Sequence, residues 1–232
     1  MRHSFDKRAK TYAEFSSVQE DIVQRLLAPL ARGCYERVLD LGCGSGHVLK
    51  ALPALGLKVG VFVGLDISKQ MLCLHPTSSP NARSVRLEWG DFEKLEFAPS
   101  DLAIGASSLQ WAQDLAKVCG RLAQSCQQVA LAIHTAASLR ELHAFLNTRS
   151  PLRGAKEVCS ILEQSFKGFR QNMWVETMTQ EFSDREGFLK QLQLSGLLSG
   201  GHLPFAQARA LKERAPYGSL SYEVVFFIGR LA

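Results

Sequence analysis

Val38-Leu39-Asp40-Leu41-Gly42-Cys43-Gly44-Ser45-Gly46 is the stretch that decides the fold. Arg37–Leu41 is short and apolar, as a buried strand is, and the residues from about His47 to Leu55 have helical spacing. Three glycines join the two, letting the chain turn tightly and letting a ligand touch backbone. Backbone N–H groups at the helix start point at the same place and favour negative charge. The stretch is not a dinucleotide fingerprint, because G-x-G-x-x-G needs a third glycine three residues on. Counted from Gly42-x-Gly44 that place is His47, and from Gly44-x-Gly46 it is Leu49.

Strand-like and helix-like segments alternate on the C-terminal side of this loop. Lys58–Leu65 is a second strand ending at Asp66, and Ser68 caps a helix that Pro76 stops. Val85–Trp89, Asp101–Ala106 and Gln128–His134 read as three more strands, with a helix over Asp114–Gln124. Such alternation implies right-handed crossovers and a parallel sheet. The near-continuous apolar runs imply that both faces of that sheet are covered. Beyond residue 135 the character changes. Helices are expected from Ser138 to about Thr148 and over Ala155–Phe166, a strand over Phe169–Phe182, a helix from Ser183 that fades at Gly196, and a β-rich end from Tyr222 to Leu231. Ser17-Val18-Gln19-Glu20, Ser138-Leu139-Arg140-Glu141 and Ser183-Asp184-Arg185-Glu186 each read as a capping box. The expected architecture is α/β: a Rossmann-like, seven-stranded, mostly parallel sheet with helices on both faces and a small helical insertion. With no repeat, low-complexity tract or linker, residues 1–232 read as one domain. It divides into an N-terminal helical lid segment (1–34), a cofactor-binding core (35–135) and a substrate side with the insertion and C-terminal strands (136–232).

The polar residues at the strand ends suggest the ligand. Asp40, just before the loop, suits a cationic amino or sulfonium group better than a pyrophosphate. S-adenosylmethionine carries both cations, and a carboxylate for the helix terminus, so it is the expected cofactor. Asp66 stands 20 residues beyond Gly46, where an acid accepts hydrogen bonds from a ribose diol. Ile67 follows it beside the nucleoside. Gly90-Asp91-Phe92 ends the third strand, placing Asp91 to accept from the adenine amino group and Phe92 to pack beside the ring. The bland alternatives are a ligand-free turn at the glycines, a helix-capping role for Asp66 and loop packing for the Asp91-Phe92 pair.

Composition narrows the class. The 232 residues suffice for one large domain, and 46% hydrophobic with 21% charged residues is ordinary for a globular protein. No apolar run approaches the roughly 20 residues that span a bilayer, and Met1–Arg8 lacks a signal-peptide core, so a cytoplasmic enzyme without membrane contact is expected. Six cysteines (34, 43, 73, 119, 126 and 159) form no C-x-x-C and no zinc spacing, and read as reduced, mostly buried thiols with no metal. The net charge of +5 is scattered, which argues against a nucleic-acid tail. The segment after the fourth strand, Ala106–Trp111, lacks the [N/D]-P-P-[Y/F/W] motif that holds a flipped base, and no Pro-Cys pair occurs. A nucleic-acid substrate is therefore not expected.

The glycine loop, Asp66 and Gly90-Asp91, in this order over roughly residues 35–135, resemble the class I methyltransferases. Outside the core, Phe5-Asp6-Lys7-Arg8-Ala9-Lys10-Thr11-Tyr12 followed by Gln19 resembles the N-terminal segment of the biotin-pathway malonyl-acyl-carrier-protein O-methyltransferases. Ser107-Ser108-Leu109-Gln110-Trp111, Ser138–Leu142, Leu189–Gly196 and Leu220–Val224 are similar to later segments of that family. The resemblance implies methyl transfer from S-adenosylmethionine to the free carboxylate of a malonyl group on acyl carrier protein, giving the ester from which pimelate is extended. A carboxylate is already ionised near neutral pH, so no general base is expected. Tyr12 and Ser107 join Asp40, Gly42, Gly44, Gly46, Asp66, Ile67, Asp91 and Phe92 as expected cofactor contacts. Tyr12, Gln110, Trp111, His134, Arg149, Arg153 and Tyr222 are the candidates for reading the substrate. Arg140, Arg149, Arg153 and Lys156 suit an acidic carrier. The alternatives left open are a methyltransferase for a free dicarboxylate or quinone precursor, and a non-catalytic module that binds the cofactor.

Overall fold

The structure, a computed structural model, describes residues 17–195 and 204–232. In chain order it contains α1 (Ser17–Leu27), β1 (Cys34–Leu41), α2 (His47–Leu55), β2 (Lys58–Asp66), α3 (Lys69–Leu74), β3 (Ala82–Trp89), β4 (Ser100–Ala106), α4 (Leu115–Ser125), β5 (Cys126–His134), α5 (Arg140–Leu146), α6 (Ala155–Ser165), β6 (Phe169–Glu181), α7 (Arg185–Ser195), α8 (Phe205–Arg214) and β7 (Ser219–Leu231). Short 3-10 turns occupy Ala28–Leu30 and Leu109–Trp111. The seven strands form one sheet in the order β3-β2-β1-β4-β5-β7-β6. Strands β1 to β5 pair in parallel, and β7 runs antiparallel between β5 and β6. The expected seven-stranded, mostly parallel architecture is the one found.

Successive side chains in a strand point to opposite faces, and the core divides accordingly. Val38, Leu102, Ile104, Val224 and Phe226 pack with Ile22 and Leu26 of α1 and Leu49 and Leu52 of α2. Their neighbours Leu39, Ala103, Val225 and Phe227 pack on the other face with Val118 and Leu122 of α4 and Leu162 and Phe166 of α6. Both faces are covered, which is why the strands read as unbroken apolar runs. The exceptions are the two edge strands: β3, whose residues are all exposed or half-buried, and β6, most of whose residues are.

Three local expectations are corrected. The serine hydroxyls of two capping boxes serve elsewhere. Ser138 Oγ donates to Glu223 O at 3.0 Å and accepts from Glu223 N at 3.1 Å, while Leu139, at φ 56°, occupies the cap position of α5. At α7 the cap is Asp184, accepting from Gly187 N at 2.8 Å. Helix α8 was not anticipated: only Leu211 of its ten residues is buried, so it has no apolar stripe to announce it. Of the cysteines, 43, 119 and 126 are buried, 159 is partly so, and 34 and 73 are exposed, so burial holds for half of them. All six are free thiols. The side chain of Ser17 in the first capping box lies outside the described residues, as does Tyr12. Among the described residues no helix is long and apolar enough to cross a membrane.

Candidate functional site

The strand order reverses at β1. The chain lays down β2 and β3 to one side, then returns to place β4 and β5 on the other. The crevice outside the carboxyl ends of β1 and β4 is therefore the topological switch point, where open α/β sheets bind ligands. The glycine loop leaves β1 there, and Ser107–Trp111 leaves β4 beside it.

The two segments are built against each other. Gly42, Gly44 and Gly46 all have positive φ, at 68°, 53° and 87°. Ser108 Oγ donates to Leu41 O at 2.5 Å, fixing the end of β4 to the end of β1. A side chain at Gly42 would run into Ser108, its Cβ only 2.4 Å from the serine Cβ. Gly44 differs. A Cβ there would meet nothing nearer than Gly42 O at 4.0 Å, so this glycine presents bare backbone to open space. The loop's free face and the start of α2 therefore form a cradle that a ligand can touch directly.

Asp40 and Asp66 give the cradle its charge. Asp40 is 1% exposed and its Oδ2 has no hydrogen-bond partner. Burial, with the nearby Asp66 carboxylate adding to it, raises its pKa well above the usual carboxylate range. A buried carboxyl without a partner is costly, and a cation placed against it would restore its ionised form. Asp66 Oδ2 accepts from Gly44 N at 2.9 Å and Oδ1 accepts from Ser68 N at 2.7 Å. It thus ties the glycine loop to the start of α3, a role the spacing alone did not reveal. Ile67 beside it accepts from Trp89 Nε1 at 3.0 Å.

The loop after β3 is the third wall. Asp91 Oδ1 accepts from Glu93 N at 3.0 Å and its Oδ2 lies 3.8 Å from Lys94 Nζ. Phe92 is half-buried against the α4 side of the core. At the end of β4, Ser107 has φ 61° and a buried hydroxyl without a partner. Gln110 donates Nε2 to Ser107 O at 2.8 Å, leaving its buried Oε1 unpartnered. Trp111 is half-buried against the α1 side of the core. The structure thus gathers Asp40, the glycines, Asp66, Ile67, Asp91, Phe92, Ser107, Gln110 and Trp111 at the carboxyl ends of β1 to β4.

The other substrate candidates are placed differently. Arg149 is exposed. Arg153 is engaged: its Nη2 donates to Gln113 O at 2.7 Å and its Nε lies 3.5 Å from Glu157. It braces α6 against the segment leading into α4. Tyr222 is buried, its hydroxyl donating to Gln180 Oε1 at 3.3 Å. His134 stands edge-on to Tyr222 and is 2% exposed, packed under the rim. Two residues of this region, Glu93 and Arg121, had no signal in the sequence, and Ser108 stood in a family-like segment with no role assigned to it. Each acts on backbone of a distant segment, and no local pattern records that. A separate groove of about 410 Å³, lined by Tyr35, Lys58 and Arg83 among others, lies at the opposite ends of β1 to β3 and holds none of the expected site residues.

Burial holds His134 down at about 4, whereas a histidine in an unfolded chain titrates near 6.5. Between those values the unfolded chain binds the proton more readily than the folded protein. The contribution is fully present above pH ~6.5 and is lost as pH falls toward 4, about 3 kcal/mol across the window. His134→Gln is expected to flatten the acid limb of stability against pH in denaturant melts. A limb of unchanged slope would exclude His134 as its origin.

Residues 38–128 match the family model described as a methyltransferase domain. Sheet order, switch-point site and domain match together define a class I methyltransferase, the class that draws its methyl group from S-adenosylmethionine. Within that class the chain is similar to the malonyl-[acyl-carrier protein] O-methyltransferase of Chlorobium luteolum, 27% identical over 231 residues, covering 95% of this chain and 87% of the relative. The enzyme of the same name from Pectobacterium atrosepticum is 27% identical over 241 residues, covering 96% and 92%. Among solved structures, the phosphoethanolamine N-methyltransferase 2 of Haemonchus contortus, in complex with S-adenosylhomocysteine, shares the fold at a TM-score of 0.58 and 18% identity, covering 97% of this chain and 57% of that one.

Proposed function

We propose that this chain methylates the free carboxylate of malonyl-acyl carrier protein with S-adenosylmethionine as donor. The observation that carries the substrate is the extent of the similarity: it runs over 95% and 96% of the chain to two enzymes of that name, far beyond the shared cofactor core. In this reading residues 1–232 are one cytoplasmic methyltransferase domain.

The site suits the cofactor on its own geometry. The unpartnered Asp40 Oδ2 takes the ammonium of the methionine moiety, with Ser107 beside it. The open backbone at Gly44 and the start of α2 take its carboxylate. Asp66 holds the ribose diol, a carboxylate having about four lone-pair positions for such bonds. Ile67, Asp91 and Phe92 enclose the adenine, and Tyr12 is assigned to the cofactor from its sequence motif alone. When bound, the cofactor supplies an electrophilic methyl group on its sulfonium. The protein's task is then to hold an already ionised carboxylate in line with that methyl and to keep water out, and fixed geometry alone can contribute several kcal/mol. Gln110 and Trp111 line the acceptor side, and His134 and Tyr222 pack beneath it. Of the two arginine candidates, Arg149 is the one left for the malonyl carboxylate, since Arg153 is engaged by Gln113 and Glu157. Exposed Arg140, Arg149 and Lys156 face an acidic carrier, an attraction that salt weakens.

Methyl-labelled S-adenosylmethionine, offered with malonyl-loaded carrier protein, malonyl-coenzyme A or free malonate, tests this. Label is expected on the loaded carrier as an alkali-labile ester. Transfer to free malonate at the same rate would instead make this an enzyme of free small acids. Transfer to no malonyl species, with cofactor still bound, would overturn the substrate.

A further inference from the structure

The loop that presents Asp91 and Phe92 has no strand or helix of its own between Trp89 and Ser100. It is held by two side chains. Arg121, on α4, donates Nη2 to Phe92 O at 2.7 Å and Nη1 to Leu95 O, and its guanidinium carbon lies 4.9 Å from the centre of the Phe97 ring. Glu93 reaches the other way, its Oε1 accepting from Gln113 N at 2.8 Å and Asp114 N at 3.0 Å. Asp114 in turn caps α4 through Lys117 N at 2.9 Å. Asp114 and Arg121 are seven residues apart, two helical turns, so they share one face of α4. That face is bolted to the loop at both ends.

We propose that Arg121 is a positioning residue for purine recognition. It touches no part of the ligand; it fixes the carbonyls of Phe92 and Leu95, and so sets where Asp91 and Phe92 point. This rests on the reading that Asp91 and Phe92 enclose the adenine. The chemistry favours arginine specifically. Two carbonyls three residues apart are met by the two terminal nitrogens of one planar fork, with the flat face left to cover Phe97. An ammonium offers a single point and holds one carbonyl at best.

The readout is the preference between two nucleosides, which a general loss of stability does not change. S-inosylhomocysteine has a carbonyl where S-adenosylhomocysteine has the exocyclic amine that Asp91 accepts from. Calorimetric titration of the full chain is expected to show S-adenosylhomocysteine binding about tenfold tighter, as befits one charge-assisted hydrogen bond. In Arg121→Met, which keeps the packing over Phe97 and loses both donors, the preference is expected to fall to within about twofold. In Arg121→Lys it falls part of the way, and this variant keeps the test open where the methionine variant folds poorly. A wild-type preference retained in both variants would overturn the positioning role. A wild-type chain that binds both nucleosides equally would remove Asp91 from the adenine and the proposal with it. A wild-type chain that binds neither would sink the cofactor reading itself, a result distinct from the other two.

Discussion

Asp66→Ala is expected to raise the dissociation constant for S-adenosylhomocysteine by about 100-fold or more. Two losses combine. The ribose diol loses its acceptor, and a hydrogen bond to a charged group contributes about 1.5–3 kcal/mol. The glycine loop also loses its anchor, since the same carboxylate accepts from Gly44 N and Ser68 N. Both N–H groups would be left short of a partner at the base of the cradle, at about 1–3 kcal/mol each, so thermal stability falls along with affinity. Asp66→Asn separates the shape of the side chain from its chemistry. An amide has one acceptor oxygen and one donor nitrogen, yet both of its positions face N–H donors. One donor therefore meets another, and the isosteric variant is expected to remain well below wild type. Titration calorimetry with S-adenosylhomocysteine decides it. An alanine variant within threefold of wild type would remove Asp66 from the site.

How much of this was legible beforehand differs between scaffold and site. The central parallel strands were readable because they are buried on both faces: in β4, Leu102, Ala103 and Ile104 serve the two core layers in turn, so no polar residue interrupts them. Residue type and spacing placed Asp40, the glycines, Asp66 and Asp91 at the carboxyl ends of the strands, and the structure gathers them there. What could not be read depends on partners far away in sequence. Ser138 looks like a helix cap but bonds the backbone of Glu223, 85 residues on. Arg153 looks like a free cation in an inserted segment but is held by the carbonyl of Gln113. Arg121 is marked in the sequence only by its place in a helical segment, and only the folded chain brings the carbonyls of Phe92 and Leu95 to it. Helix α8 escaped for the opposite reason: it buries Leu211 and little else, so its apolar pattern is too thin to detect. Local pattern therefore reports which polar residues and glycines stand at the strand ends far better than it reports which residues hold them in place.

The two glycines that begin the loop, both left-handed, are expected to fail in different ways when changed to alanine. Forcing a Cβ into the left-handed region costs about 1–2 kcal/mol at either position. At Gly42 the new methyl also lies 2.4 Å from Ser108 Cβ. Ser108 has little room to retreat, because its hydroxyl is bonded to Leu41 O and it closes the end of β4. Overpacking of this kind adds about 1–3 kcal/mol. Gly42→Ala is therefore expected to destabilise by about 3 kcal/mol or more, lowering Tm by roughly 6–12 °C in a chain of this size. At Gly44 the methyl meets no protein atom nearer than 4.0 Å, so the loss of Tm is limited to the backbone strain, roughly 2–8 °C. Its methyl instead fills the space offered to the ligand, and affinity for S-adenosylhomocysteine is expected to drop by at least about tenfold. Melting curves and calorimetry on the two variants test the pair. A Gly44→Ala protein that binds like wild type would mean that the ligand does not rest on this loop. A Gly42→Ala protein as stable as its Gly44→Ala counterpart would mean that the ends of β1 and β4 are not packed as tightly as their geometry indicates.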